Sequence, residues 1–296
     1  MAIHSTDLKV SAAALSAVAL WGLAFPLIQI GLEDFSPIVL GFLRFSFAAV
    51  VVAAMLFMRY RPAEVLATLR REWLPLLALG LLYVTIPNAL QNMGLEHGTS
   101  SVASVIQSSS PVMTLVFAAV LLKERMTLAK GVGTVFAMGG TVMLVANGGL
   151  SLGDDGVVSN ILLLVSAISY GLAWVSAKRA LERNPPTMVI GLSIVLGTLM
   201  LAFSIPLEQD PMVHLDAASV ANLVVLGVFC AAGSSVLYLG TLEHREVSKM
   251  AFFIYLMPVF ASLFAWLIRG EGVALWTVLC AVIITAGVVI ANKRGG

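Results

Sequence analysis

Long apolar runs, broken at short intervals by charge and turn residues, dominate the chain. A bilayer-spanning helix needs roughly 20 mostly apolar residues. Ten such runs can be placed, at 10–32, 37–58, 73–94, 99–122, 129–147, 158–180, 187–207, 218–240, 247–268 and 273–291. The breaks carry charge or turn chemistry: Glu33-Asp34, Arg59-Tyr60-Arg61-Pro62, Glu96-His97-Gly98, Lys123-Glu124-Arg125, Gly153-Asp154-Asp155-Gly156, Glu182-Arg183-Asn184-Pro185-Pro186 and Glu208-Gln209-Asp210-Pro211. No break is long enough to hold a second domain. The first run, Val10 to Ile30, is about twice as long as a secretory h-region and reads as a retained span. The pattern predicts an all-α integral membrane protein with ten transmembrane helices.

Composition agrees. Of 296 residues, 59% are hydrophobic and 11% charged, against about 25% charged in a soluble domain. Mean hydropathy is +0.99. A soluble globular, disordered or fibrous protein is excluded. Basic residues orient the chain, because they stay cytoplasmic during insertion. With the N-terminus inside, 15 of the 17 Lys and Arg fall in cytoplasmic segments, Arg269 falls outside and Arg44 lies within a span. Both termini are therefore expected in the cytoplasm, with the chain in the inner (plasma) membrane. Net charge is +1, so no nucleic-acid partner is implied. Cys230 and Cys280 sit in apolar runs and form neither a disulfide framework nor a metal site. The four histidines are scattered, and no phosphate-loop, zinc-protease or serine-hydrolase motif occurs. The expectation is no enzyme, no catalytic residue, no metal and no cofactor.

The two halves are related. An offset of 149 brings Gly22-Leu23-Ala24 onto Gly171-Leu172-Ala173, and Pro37 onto Pro186. An offset of 147 brings Leu95-Glu96-His97 onto Leu242-Glu243-His244, Pro111 onto Pro258 and Glu124 onto Glu271. Each unit holds five spans, 1–148 and 149–296. Five is odd, so the second unit enters the membrane inverted. Inverted repeats are the mark of secondary transporters, with the substrate site near midplane at the repeat interface.

The pattern Pro37-xx-Leu40-xxx-Arg44-Phe45, the Trp21-Gly22 pair and Pro111 followed by Lys123-Glu124 resemble EamA-type members of the drug/metabolite transporter superfamily. The resemblance covers essentially the whole chain. It is nearest to the bacterial branch that exports aromatic and other neutral amino acids. It implies export and alternating access around a central cavity.

Candidate cavity residues follow from the matched spans. Trp21, Phe25 and Gln29 share one helix face, and the repeat places Tyr170, Trp174 and Lys178 equivalently. Trp21 and Trp174 lie about mid-span, away from a headgroup belt, which leaves cavity lining or interior packing. In the fourth span Ser100, Ser101, Ser104, Gln107, Ser108 and Pro111 fall within about a 120° arc, too polar to face lipid. The matching face of the ninth carries Ser248, Ala251, Ile254, Tyr255 and Pro258, of which Tyr255 is the candidate. The third span offers Tyr83, Asn88 and Gln91, and the eighth Ser234, Ser235 and Tyr238. Pro111 and Pro258 are equivalent mid-span kinks, hinge or static bend. Arg44 is expected to reach outer water or pair with Glu33 or Asp34, a structural or gating role ahead of a carboxylate clamp. Gly131, Gly133, Gly139, Gly140 and Gly287 are expected small-residue contacts for helix packing or a weak homodimer; otherwise the protein is a monomer in contact with lipid and a small-molecule substrate. The cavity so drawn suits a zwitterionic or neutral solute with an apolar body. The competing readings are an exporter of cationic drugs or other metabolites and a membrane-embedded enzyme, each of which would want a buried acid that the spans lack.

Overall fold

The computed structural model describes residues 5–96, 100–146, 154–208, 211–269 and 275–292. His97, Gly98, Gly153, Gln209, Asp210, Glu271 and the side chains of Ser100 and Ser101 lie outside the described residues. Among those described, all regular elements are helical, with an isolated antiparallel bridge between Phe35 and Val213. In chain order they are α1 (Ser5–Gly31), α2 (Pro37–Arg59), α3 (Pro62–Glu96), α4 (Ser100–Gln107), α5 (Ser110–Leu121), α6 (Leu128–Ala146), α7 (Asp154–Leu181), α8 (Pro186–Ser204), α9 (Ala217–His244), α10 (Val247–Ile254), α11 (Met257–Arg269) and α12 (Leu275–Asn292). Seven stretches are long and apolar enough to cross a membrane: Leu8–Gly31, Pro37–Arg59, Pro62–Glu96, Val157–Leu181, Pro186–Leu207, Ala217–His244 and Val247–Ile268. The remaining apolar runs fold as α4 with α5, as α6 and as α12. Val50, Phe57, Val135, Phe203 and Val282 each expose more than 60% of their surface, an outer skin suited to hydrocarbon.

Four departures from the expected straight runs stand out, two helix breaks and two π-helical turns. The fourth run, expected as one kinked helix, is two. Pro111 has no N–H to offer the Gln107 carbonyl, so α4 stops at Gln107 and α5 starts at Ser110. Ser108 Oγ turns back to the Ser104 carbonyl at 2.7 Å and Ser109 Oγ to that of Ile106 at 2.6 Å. Pro258 has the same effect at Tyr255-Leu256, between α10 and α11. Wider π-helical turns interrupt α3 at Leu81–Thr85 and α9 at Val225–Gly233, at equivalent positions of the two halves. Neither was legible as a pattern. Their carbonyls are taken by side chains: Asn88 Nδ2 donates to Val84 at 2.7 Å and Ser234 Oγ to Cys230 at 2.6 Å. A π turn of this kind often marks a functional site, because it swings the next residues to a new face.

Close helix approach occurs at glycines. A Cβ on Gly80 would lie 2.7 Å from the Ser193 carbonyl, and one on Gly227 would lie 2.6 Å from the Arg44 carbonyl. These contacts seat α3 on α8 and α9 on α2. Of the glycines expected to pack α6 on α12, Gly140 and Gly287 do so, whereas Gly131 and Gly139 face nothing within 4 Å.

Carboxylates from two of the charged breaks clamp helix starts. Glu208 accepts from Ile38 N–H at 2.5 Å, Val39 N–H at 3.3 Å and Ser36 Oγ at 2.7 Å, at the start of α2. Glu124 accepts from Val247 N–H at 3.0 Å, Ser248 N–H at 3.3 Å and the Ser248 hydroxyl, at the start of α10. A carboxylate there satisfies orphan N–H groups and complements the helix dipole. Beside it the buried Lys130 ammonium contacts Glu246 at 2.9 Å and the Arg125 carbonyl at 3.1 Å. Burial works against Glu246 ionising, but the hydrogen bond and charge of Lys130, with Lys249 behind, hold it below the usual carboxylate range.

Two expectations follow. Gly227→Val should lower the melting temperature in detergent sharply, since overpacking typically costs about 1–3 kcal/mol, while Gly131→Ala should leave it within a degree or two. Because the Glu246 carboxyl is depressed in the folded state, its stabilisation is complete above the ordinary carboxylate range and is lost as pH falls through the folded value. Acidification from pH 7 to pH 4 should therefore lower the melting temperature of the wild type more than that of Glu246→Gln.

Candidate functional site

An open-mouthed cavity lies between the two halves. Helix α1 places Trp21, Ala24 and Phe25 on it from one face, as i, i+3 and i+4 spacing requires. Helix α7 places Tyr170 and Trp174 by the same spacing. The third residues of the two stripes do not line it: Lys178 instead donates to the carbonyls of Leu242 and Arg245 at the end of α9. Helix α2 brings Arg44 and Phe45, α3 brings Tyr83 and Gln91, and the helix break brings Gln107 and Ser110. Ala231, Ile254 and Met257 complete the wall.

The rings form one connected cluster. Trp174 is at its centre, with ring centroids 5.5 Å from Trp21, 4.9 Å from Tyr83 and 4.6 Å from Tyr238. Trp21 meets Tyr238 at 5.0 Å, and Tyr83 meets Tyr170 edge-on at 5.9 Å. These tilted and edge-on arrangements are the favoured ones for aromatic pairs. Two of the three tyrosine hydroxyls are held from behind. Tyr83 shares a 2.5 Å hydrogen bond with Ser235, and Tyr170 donates to Asn88 Oδ1 at 3.2 Å. Gln107 Nε2 donates to Gln91 Oε1 at 2.7 Å and to Ser166 Oγ at 2.9 Å, and Ser166 passes its own proton to the Pro87 carbonyl at 2.8 Å.

Of the residues singled out in the sequence, the structure brings Trp21, Phe25, Arg44, Tyr83, Gln91, Gln107, Tyr170 and Trp174 to this wall. Asn88 and Ser235 stand one layer back, orienting the tyrosines. Tyr238 is fully buried beneath the two tryptophans. Ser104, Ser108 and Ser234 are buried and off the wall, the last two with hydroxyls turned to their own helix carbonyls. Tyr255 lies elsewhere, in a second cluster with Leu115, Ala137, Phe252 and Ile284. Pro111 and Pro258 are next to the lining residues Ser110 and Met257. The expected pairing of Arg44 with Glu33 or Asp34 is not made. Its head group stays inside, 5.2 Å over the Phe45 ring.

The residues missed were Ala24, Phe45, Ser110, Ala231, Ile254 and Met257. The repeat contained the signal for Ile254, the counterpart of the candidate Gln107, and relates the missed Ser110 to the missed Met257. An offset of 147 carries Gln107 to Ile254 and Ser110 to Met257, both lining, and carries Ser108 to Tyr255, both off the wall. The size of Tyr255 drew attention from its smaller neighbour.

The cavity is related by the repeat in position but not in chemistry. All of its amides, its guanidinium and its aliphatic hydroxyl come from residues before Pro111. The later residues give it Tyr170, Trp174, Ala231, Ile254 and Met257. The first half also brings Trp21, Phe25, Phe45 and Tyr83, so aromatic surface comes from both halves and the aliphatic hydrogen-bonding groups from one.

Comparison with known proteins agrees with this architecture. The sequence profile of the EamA-like transporter family matches the chain twice, over 8–146 and 158–293. An uncharacterised transporter of Archaeoglobus fulgidus is 27% identical over 284 residues, covering 94% of this chain and 96% of that one. A probable terminal-alkyne amino-acid exporter of Streptantibioticus cattleyicolor is 27% identical over 278 residues, covering 94% and 91%. A solved crystal structure superposes with a TM-score of 0.81 at 19% identity, covering 96% of each chain, and shares the fold. With both halves matched by one profile and relatives aligned nearly end to end, the chain belongs to the EamA-like transporter family.

Proposed function

We propose that this transporter exports small zwitterionic solutes, above all neutral amino acids with apolar or aromatic side chains, across the inner membrane by alternating access. The carrying observation is the mixed wall of the cavity: Arg44, Gln91, Gln107 and Ser110 offer hydrogen bonds and charge beside a connected aromatic cluster and apolar surface drawn from both halves. A solute with a polar head and an apolar body fits such a wall. Aromatic faces supply stacking surface for the body. Gln107 Oε1 is buried with no donor among the described residues, an acceptor suited to an ammonium group. The amino-acid exporter among the relatives supports the same class.

The proposed frame is ten spans in two inverted units, 1–148 and 149–296, with both termini in the cytoplasm. Three observations support it: the double family match, the equivalent helix breaks near Pro111 and Pro258, and the equivalent π turns of α3 and α9. The distribution of Lys and Arg supports the orientation.

Single cysteines test the frame, since Cys230 and Cys280 are buried and silent. A cysteine at Glu33 should react with impermeant maleimide on intact cells, and one at Thr127 should react only after permeabilisation. The opposite pattern would invert the orientation.

Counterflow in proteoliposomes tests the substrate class. Neutral amino acids should exchange, with aromatic ones among the best. Trp174→Ala removes the ring at the centre of the cluster. It should weaken competition by phenylalanine and tryptophan about 10-fold, the equivalent of 1.4 kcal/mol, and competition by alanine much less. Equal loss for large and small side chains in a folded variant would mark the cluster as packing. Exchange of amines but no amino acid would overturn the substrate class.

A further inference from the structure

Arg44 is 5% exposed, and its Nε and Nη1 have no hydrogen-bond partner among the described residues. Unpaired buried donors on a charged group are costly, and a residue kept in that state needs a reason. No Asp or Glu lines the cavity with it, and no ion pair reaches it among the described residues. Its recorded head-group contact is the Phe45 face, which attracts a cation without satisfying N–H donors.

Helix packing does not call for the charge. The offset of 149 carries Arg44 to Ser193. The Arg44 carbonyl meets Gly227 as the Ser193 carbonyl meets Gly80, with 2.6 and 2.7 Å to a notional Cβ. The same backbone approach is thus built twice, once with a guanidinium and once with a hydroxyl. Only the first of the two side chains lines the cavity.

A guanidinium is a fixed fork of donors that matches a carboxylate in two parallel hydrogen bonds. We infer that Arg44 anchors a carboxylate of the transported solute. This rests on the cavity being the solute site, and it narrows the class to monocarboxylates with an apolar body, zwitterionic amino acids included. The same charge refuses simple amines and quaternary cations, although the aromatic cluster alone would welcome them. Arg44 is then a substrate-binding residue and not the gating pair expected from its sequence position.

The test uses the full-length protein in detergent, with ligand-induced thermal stabilisation read for three probe pairs: phenylalanine and phenylalaninamide, leucine and leucinamide, 3-phenylpropanoate and 2-phenylethylamine. In the wild type each carboxylate should bind about 10-fold or more tightly than its uncharged or cationic counterpart, the range expected for charge-assisted hydrogen bonds. Arg44→Gln should erase that preference by weakening the carboxylates, with amide and amine binding equal to or tighter than in the wild type because the repelling charge is gone, and Arg44→Lys should retain part of the preference. Equal binding of acids and amides by the wild type, binding of no carboxylate, or loss of acid and amide alike in a monodisperse Arg44→Gln protein would each overturn the anchor. If Arg44→Gln fails to fold, the wild-type pairs and Arg44→Lys still decide. The two readings fail separately. Arg44-dependent binding of 3-phenylpropanoate with no amino acid bound or exchanged would remove the amino-acid reading and keep the anchor. Exchange of amino acids with an acid preference untouched in Arg44→Gln would do the reverse.

Discussion

A chain this apolar must satisfy its backbone from within, because hydrocarbon offers no partner to a stray N–H or carbonyl. Helices do so by default, and at the Pro111 break and at both π turns a side chain covers exposed carbonyls. Ser108, Ser109, Asn88 and Ser234 are the donors. Those irregularities are also where Tyr83, Gln107, Ser110, Ala231, Ile254 and Met257 come to the cavity. Broken backbone and binding surface are one feature, since non-helical backbone at membrane depth is tolerated only where protein or a cavity shelters it.

The duplicated frame carries unequal chemistry. Equivalent positions hold Arg44 and Ser193, Gln91 and Tyr238, Gln107 and Ile254, Ser110 and Met257. Packing sets the shape of both halves, as at Gly80 and Gly227. Once the shape is fixed, the side chains are free to diverge, and here the amides, the guanidinium and the serine hydroxyl of the wall all come from the first half.

The carboxylate clamps explain how the ends of the molecule hold together without a large soluble domain. Glu208 ties the segment after α8 to the start of α2, and Glu124 ties the segment after α5 to the start of α10. Each uses orphan N–H groups that any helix start presents. Such joints are specific in place and chemically simple.

Hydropathy, Lys and Arg placement and the duplication were enough to read a helical membrane protein of the right family from the chain. These signals are local or additive: apolar length is summed along a run, and a repeat is visible by alignment to itself. The aromatic and amide face residues were legible for the same reason, because helical spacing alone puts Trp21 beside Phe25 and Tyr170 beside Trp174. The sequence was also sufficient to locate Pro111 and Pro258. Tertiary structure alone decided the rest. Whether a break is a kink or a gap, and whether a π turn forms, depends on which side chains reach the freed carbonyls. Tyr255 left the cavity for Ile254 because the turn before Pro258 aims adjacent residues at different clusters. Arg44 was expected to reach outward to Glu33 or Asp34. Its unpaired place in the wall is a property of three dimensions, set by the α2–α9 contact at Gly227 and by the lack of any acid within the cavity lining.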